Sequence, residues 1–358
     1  MENHQLAPLC LSRDYHDLKN RLGQIIVGYD LQGRPVRAIQ LKAVGSMAAI
    51  LRETLEPNLA QTAEGTPALI HGGPFANIAH GTSSLVSILL GLSEADYCVV
   101  EAGFGSELGA EKFVDIVSRV GGFNVSAAVI VATVRALRHH GGVPAEKLNS
   151  TDPEAVKRGL GNLGKHIENV RTLGLAPVVT INKFQSDEPR EIQMIEQFCS
   201  SLNVPCAVST VFQDGGEGAT ELAERVVEAT RKGAQSHPVY PLEASVEDKL
   251  EAVVKDLYGG IGAEYTSDAK KDLDRIARLS FVNQPICVAK TPLSLSDDPT
   301  KIGRPRDFIA LVRRLEVAAG AGFNIAYMGD VVTMPGLPKR PAAENIDLTD
   351  EGIITGLQ

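Results

Sequence analysis

The chain has 358 residues, 44% apolar and 22% charged, with 34 glycines and 19 prolines. That is ordinary globular composition, long enough for two or three domains, and it argues against a disordered chain. Lys and Arg total 35 against 44 for Asp and Glu, a net charge of −9, which gives no basic field for a nucleic-acid backbone or an anionic bilayer. The five cysteines (Cys10, Cys98, Cys199, Cys206, Cys287) are scattered and none has C-x-x-C spacing. Disulfide and zinc scaffolds are therefore not expected, and a reducing compartment is. No apolar run reaches the ~18 residues of a membrane span, and Met1-Glu2-Asn3-His4 does not open a signal peptide. A cytoplasmic protein with no nucleic-acid or membrane partner is expected.

In chain order, the pattern predicts a helix over 15–22, a strand over 24–29, a turn at Gln32-Gly33-Arg34-Pro35 and a helix over 43–55. A strand is expected at Pro67–Ile70, stopping at His71-Gly72-Gly73-Pro74, and then a helix over 77–92. Tyr97–Val100 reads as a strand running into Glu101-Ala102-Gly103-Phe104-Gly105. Ala127–Ala132 is a continuous apolar run, the mark of a strand covered on both faces. Asp152-Pro153-Glu154 starts a helix that apolar spacing carries to about Leu173. Strands at 177–181 and 205–208 alternate with helices at 188–202 and 217–232. A small-polar stretch, Gly233–Pro238, interrupts the pattern. Helices over 245–258 and 267–279 follow, then strands at 285–289 and 324–328.

Strand–helix alternation means a parallel sheet with helices on both faces, and ligands bind at the carboxyl ends of such strands. The loops after Ile70, Val100, Ile181 and Val208 are the places to look. Gly159-Leu160-Gly161-Asn162-Leu163-Gly164-Lys165-His166 has both G-x-G-x-x-G spacing and most of a phosphate loop. It follows no strand, and His166 stands where a magnesium-binding Ser or Thr belongs, so a glycine-loosened helix is the better reading. Ile181-Asn182-Lys183 lacks the aspartate of a guanine-reading motif. His139-His140 does not have metal spacing, and no metal site is expected.

Five stretches carry the chemistry: His71–Gly81, with its second histidine at His80; Glu101–Phe113; Val131–Gly142, with Arg135 and Arg138; Asn182-Lys183-Phe184; and Thr210–Gly218, with Phe212. Together they resemble the formate–tetrahydrofolate ligase family, the ATP-dependent formyltetrahydrofolate synthetases. The resemblance begins near Leu9-Cys10-Leu11 and continues through Asn58–Thr62 and Leu293–Pro299. It ends in the run Met334-Pro335-Gly336-Leu337-Pro338-Lys339-Arg340-Pro341 to Asp347.

The resemblance implies an enzyme that phosphorylates formate with ATP and Mg2+ and passes the formyl group to tetrahydrofolate. A monovalent cation supports the reaction, and a homo-oligomer, typically a tetramer, carries it out. Phe184 and Phe212 are implied to sandwich the folate ring system, with Phe104 lining the same cleft; Phe212 stands where a tryptophan is usual. A flat pterin gains ~0.5–1.5 kcal/mol per stacked ring beyond area burial. His71, His80, Glu101 and Lys183 are candidates for substrate or cation contact, against plain packing or salt-bridge roles. Asp297-Asp298-Pro299 and Ala342-Ala343-Glu344 resemble loops around the nucleotide base, without assigned roles.

The family's phosphate loop, a Gly-Glu-Gly-Lys-Thr-type sequence, lies in a leading portion to which these 358 residues do not correspond. The expectation is a partial P-loop-NTPase-like parallel sheet plus a C-terminal α/β domain. It divides as 1–86, a remnant of the family's second domain; 87–173, the remaining half of the nucleotide-binding-type domain; and 174–358, with the folate-binding aromatics. A separate P-loop subunit would complete the enzyme. The alternatives are a non-catalytic folate- or partner-binding descendant and a truncated gene product.

Overall fold

The computed structural model describes residues 3–76 and 78–329, together with 344, 346–348 and 354–356. Helices α1 (Asn3–Cys10) and α2 (Tyr15–Gln24) lead to a hairpin of β1 (Ile26–Tyr29) and β2 (Pro35–Arg37). Asp14 caps α2 by accepting the Asp17 amide, one of the donors that a helix start leaves unpaired. The helix expected over 43–55 is shorter: α3 is Val44–Ile50, followed by one tight turn at Glu53–Leu55. β3 (Asn58–Gln61) and β4 (Pro67–Ile70) form a second antiparallel hairpin, so the 67–70 strand stands outside the parallel sheet.

Helix α4 (Leu85–Glu94) begins later than the pattern suggested. Gly81 takes a left-handed φ of 67°, which breaks the helix, and Ser84 provides the cap by accepting the Ser87 amide. Asn77, the expected cap, lies outside the described residues. Tyr97–Val100 joins no ladder, contrary to expectation, and Val99 is 90% exposed. An apolar run becomes a strand only where a neighbour takes its amides and carbonyls, and no described strand lies against this one.

Helix α5 covers residues 106–121 and alternates π with α turns. Then come β5 (Ala127–Ala132), α6 (Val134–His140), α7 (Pro153–Thr172), β6 (Ala176–Asn182), α8 (Pro189–Ser201), β7 (Cys206–Ser209), the short α9 (Val211–Asp214) and α10 (Thr220–Thr230). The three strands form the expected parallel sheet in the order β5-β6-β7, with helices on both faces. Val179 and Ile181 of β6 pack against Val156, Leu163 and Ile167 of α7 and Ile195 of α8, all buried. β6 is central and buried, whereas β5 is an edge, with Val131 64% exposed.

Helix α11 covers residues 246–258, with a π segment in its last turns. With β8 (Gly262–Tyr265), α12 (Ser267–Arg278), β9 (Ile286–Ala289), β10 (Ile309–Ala318) and β11 (Phe323–Met328) it completes a four-stranded mixed sheet, ordered β8-β10-β11-β9. β10 pairs parallel with β8 and antiparallel with β11. Two-residue strands at Asp347–Leu348 and Ile354–Thr355 pair beyond it, while the run Met334–Pro341 lies outside the described residues. Val114 of α5 and Val170 of α7 share one buried cluster with Leu250, Leu257, Val288 and Val312. Both sheets are thereby fixed to the same helices, which sets the geometry of the loops between them. Among the described residues no helix is long and apolar enough to cross a membrane.

Candidate functional site

The exits of β6 and β7 lie side by side. Lys183 N–H donates to the Ser209 carbonyl at 3.0 Å, extending the ladder by one bond past the strands. Phe184 N–H then turns to Asp187 Oδ2 at 2.8 Å, and Thr210 N–H closes on the Gly218 carbonyl at 3.0 Å. Glu64, at the tip of the β3–β4 hairpin, accepts the Gly216 amide and brings the hairpin to this loop. Phe184 is 50% exposed and Phe212, on α9, is 94% exposed. Neither ring is a core residue, although phenylalanine is by type among the most often buried. The Lys183 side chain is exposed beside them.

Phe104 sits on a turn with a φ of 62°, a left-handed conformation that is an outlier for a bulky side chain. Its ring is 52% exposed. Gly103 N–H donates to the Gly81 carbonyl at 2.9 Å, and Gly109 lies so close to the Gly103 carbonyl that a Cβ there would collide with it. Beneath the turn, Ser106 Oγ lies 2.8 Å from His166 Nδ1, and Asn169 Nδ2 donates to Ser106 Oγ at 3.1 Å. Glu107 accepts from the buried Lys290 ammonium at 3.3 Å. Burial pulls the Glu107 carboxyl upward, but Lys290 and His166 outweigh it and hold it below its usual value. Lys290 also donates to the carbonyls of Thr291 at 3.1 Å and Ser294 at 2.5 Å, tying the turn to the loop after β9.

His71 is buried, and both of its ring nitrogens are engaged within the fold: Nε2 with the Thr54 carbonyl and Nδ1 with Ser84 Oγ, each at 2.5 Å. A carbonyl only accepts, so Nε2 carries a proton, while Nδ1 meets the hydroxyl of the serine that caps α4. His80 is fully buried, and among the described residues neither ring nitrogen finds a partner. Burial, reinforced by Lys112 and Arg21, pushes it down to about 3, so it is a neutral imidazole. Glu101 is exposed, just beyond the unpaired 97–100 segment. The structure thus puts Phe184, Lys183 and Phe212 on adjoining strand exits and Phe104 on a separate turn, with the two histidines inside the fold.

By sequence, Arg135 and Arg138 either face phosphate or solvate a helix, the latter favoured; Arg138 does not solvate a helix surface. It is fully buried, donating to both carboxylate oxygens of Glu191 and to the Leu148 carbonyl at 2.9 Å, whereas Arg135 is exposed. Gly159–His166 lies inside α7, as its lack of a preceding strand foretold. A Cβ at Gly159 would collide with the Leu137 carbonyl, so this glycine lets α6 and α7 meet. Lys165 Nζ donates to the Asp256 carbonyl at 2.7 Å instead of presenting an ammonium to solvent. Asp297, Asp298, Leu311 and Arg313 line a cleft of about 320 Å³. Ala342 and Ala343 lie outside the described residues.

Sequence reasoning assigned no role in a site to Ser106, Glu107, His166, Asn169 or Lys290, although Glu101–Phe113 was singled out as a stretch. The signal was present in the i, i+3 spacing of His166 and Asn169, which puts both on one face of a helix. The family model of formate–tetrahydrofolate ligase matches residues 4–358.

Proposed function

Because the chain belongs to the formate–tetrahydrofolate ligase family, we propose that it supplies the tetrahydrofolate-binding part of that reaction, in which ATP and formate give formyl phosphate and the formyl group passes to N10 of the folate. The observation that carries this reading is the pair of exposed rings, Phe184 and Phe212, on strand exits joined by the Lys183–Ser209 hydrogen bond. A pterin between two such rings gains stacking that water does not offer, and the parallel strands end at this point. Phe104 lines the approach. Lys183 meets a carboxylate of the folate tail, and Glu101 contacts substrate or a monovalent cation. His71 acts through Ser84 and α4.

The described residues do not fit a nucleoside triphosphate with its magnesium. The one phosphate-loop look-alike is mid-helix, its lysine is tied to a carbonyl, and among the described residues no three His, Cys, Asp or Glu side chains gather to hold a metal. We place the phosphate-handling loop outside these 358 residues, on a separate subunit that docks where β5 presents its open edge. The exposed Val129 and Val131 support that placing. The same misfit favours a second reading, a folate-binding protein without turnover.

Formate- and tetrahydrofolate-dependent release of ADP separates these readings. The ligase reading expects none from the chain alone and turnover once a phosphate-loop polypeptide of the family is added. Turnover by the chain alone would refute the placing of that loop. No turnover in either case, with folate still bound, would leave the second reading.

A further inference from the structure

We propose that His166 is a positioning residue for the Phe104 turn, holding it in its left-handed conformation by accepting the Ser106 hydroxyl proton at Nδ1. Three observations carry this. Ser106 Oγ stands 2.8 Å from His166 Nδ1, and the Ser106 amide points at the same nitrogen from 3.4 Å. The Ser106 amide can only donate, so Nδ1 is an acceptor and the ring carries its own proton on Nε2; with Asn169 Nδ2 donating to Ser106 Oγ, the hydroxyl proton is free for the imidazole. Gly105, between Phe104 and Ser106, has no room for a Cβ, which would collide with Glu107 Oε2 and lie 2.8 Å from His166 Cε1; the carboxylate and the ring are both packed against the backbone of the turn.

A bulky residue at φ 62° persists only where its surroundings over-determine it. Phe104 meets that condition from both sides: the Gly103–Gly81 hydrogen bond precedes it, and the Ser106–His166–Asn169 cluster follows it. The Glu107 carboxylate lies 3.7 Å from the same Nδ1 and pairs with Lys290. A proton on Nδ1 would turn the ring toward Glu107 and take the acceptor away from Ser106.

The groups facing His166 are Glu107 from α5, Lys290 from the loop after β9, His140 from α6 and Lys165 on its own helix. Burial lowers the imidazole's affinity for a proton, and Lys290 and Lys165 add to this while Glu107 opposes it. The folded value is below the unfolded one, so the hold is complete above the ordinary imidazole value of about 6.5. Its contribution to stability declines as the pH falls from there, and the hydrogen bond itself is lost as the pH passes down through the lowered folded value.

The holding of the turn stands by itself; its consequence for folate rests on the reading of Phe104 given above. The test combines hydrogen exchange of the peptide spanning residues 101–109 with tetrahydrofolate titration. His166→Leu removes the acceptor, Ser106→Ala removes the donor, and His166→Asn puts an oxygen where Nδ1 stood without a titrating ring. Exchange in the turn should rise roughly tenfold in His166→Leu and Ser106→Ala, the worth of one hydrogen bond, and stay near wild type in His166→Asn. Measured against the intrinsic exchange rate at each pH, which itself falls with acid, protection of the turn should drop on acidification in the wild type and stay unmoved in His166→Asn. Tetrahydrofolate affinity should follow the exchange. Unchanged exchange in both His166→Leu and Ser106→Ala would overturn the proposal, as would an acid response that survives in His166→Asn. Altered exchange with no folate binding in the wild type would instead overturn the reading of Phe104 and leave the positioning role standing.

Discussion

Glu191 meets Arg138 with both carboxylate oxygens, Nε to Oε1 at 3.0 Å and Nη2 to Oε2 at 2.5 Å, in a fully buried contact between α6 and α8. The Asp152 amide donates to the same Oε1 at 3.1 Å, so the pair also anchors the start of α7. Removing one partner leaves a buried charge without its counter-charge. Glu191→Leu should cost about 3–5 kcal/mol in urea unfolding. The double variant Arg138→Met with Glu191→Leu should recover most of that loss, because the penalty belongs to the orphaned charge.

Gly159 and Gly161 separate packing from phosphate binding. A Cβ at Gly159 collides with the Leu137 carbonyl, and one at Gly161 meets only Arg304 Cβ at 3.7 Å. Gly159→Ala should therefore destabilise by about 1–3 kcal/mol. Gly161→Ala should stabilise by about 0.5–1 kcal/mol through helix propensity. Thermal unfolding reads both signs.

Strain at Phe104 gives opposite effects on stability and binding. Phe104→Gly removes a left-handed penalty of about 1–2 kcal/mol per residue, partly offset by the entropy of glycine in the unfolded chain. Stability should be unchanged or should rise by up to about 1 kcal/mol. Tetrahydrofolate affinity should fall. A loss of both would show that the ring contributes to packing instead.

The Glu111 and Asp115 carboxyls are buried together on α5. Burial, then Asp115, pushes Glu111 well above the usual carboxylate range, and burial pushes Asp115 up to about 6 despite the Val239 amide and Arg119. Folded values above the unfolded ones mean that the native state binds extra protons. The stabilisation is present at low pH and is lost as pH rises through the folded values. Glu111→Gln keeps the neutral form, so its stability should decline less than that of the wild type from mildly acidic to alkaline pH. Parallel decline of the two proteins would contradict the pairing.

The parallel sheet was legible because β5 is an uninterrupted apolar run, because β6 is apolar but for Thr180 and its final Asn182, and because Asp152-Pro153 marks the start of α7. Helix α5 was not, since Glu107, Glu111, Lys112 and Asp115 are charged yet buried and break the polar face that sequence reading relies on. β10 was missed as well: Arg313 and Arg314 sit in its middle and mask an otherwise alternating strand. The Tyr97–Val100 run has strand composition but no described neighbour to pair with, and pairing is a property of two segments. For the site, Phe184 and Phe212 were placed on the strand exits where the sequence put them, while the support under Phe104 joins residues sixty or more apart in the chain.

The central claim is that the rings at the β6 and β7 exits grip a folate. Isothermal titration of the intact chain with tetrahydrofolate, repeated on Phe184→Ala, tests it most directly. The account predicts saturable binding by the wild type and roughly tenfold or greater weakening in Phe184→Ala, with unfolding unchanged because the ring is half exposed. No binding by the wild type, or equal binding by the variant, would contradict it.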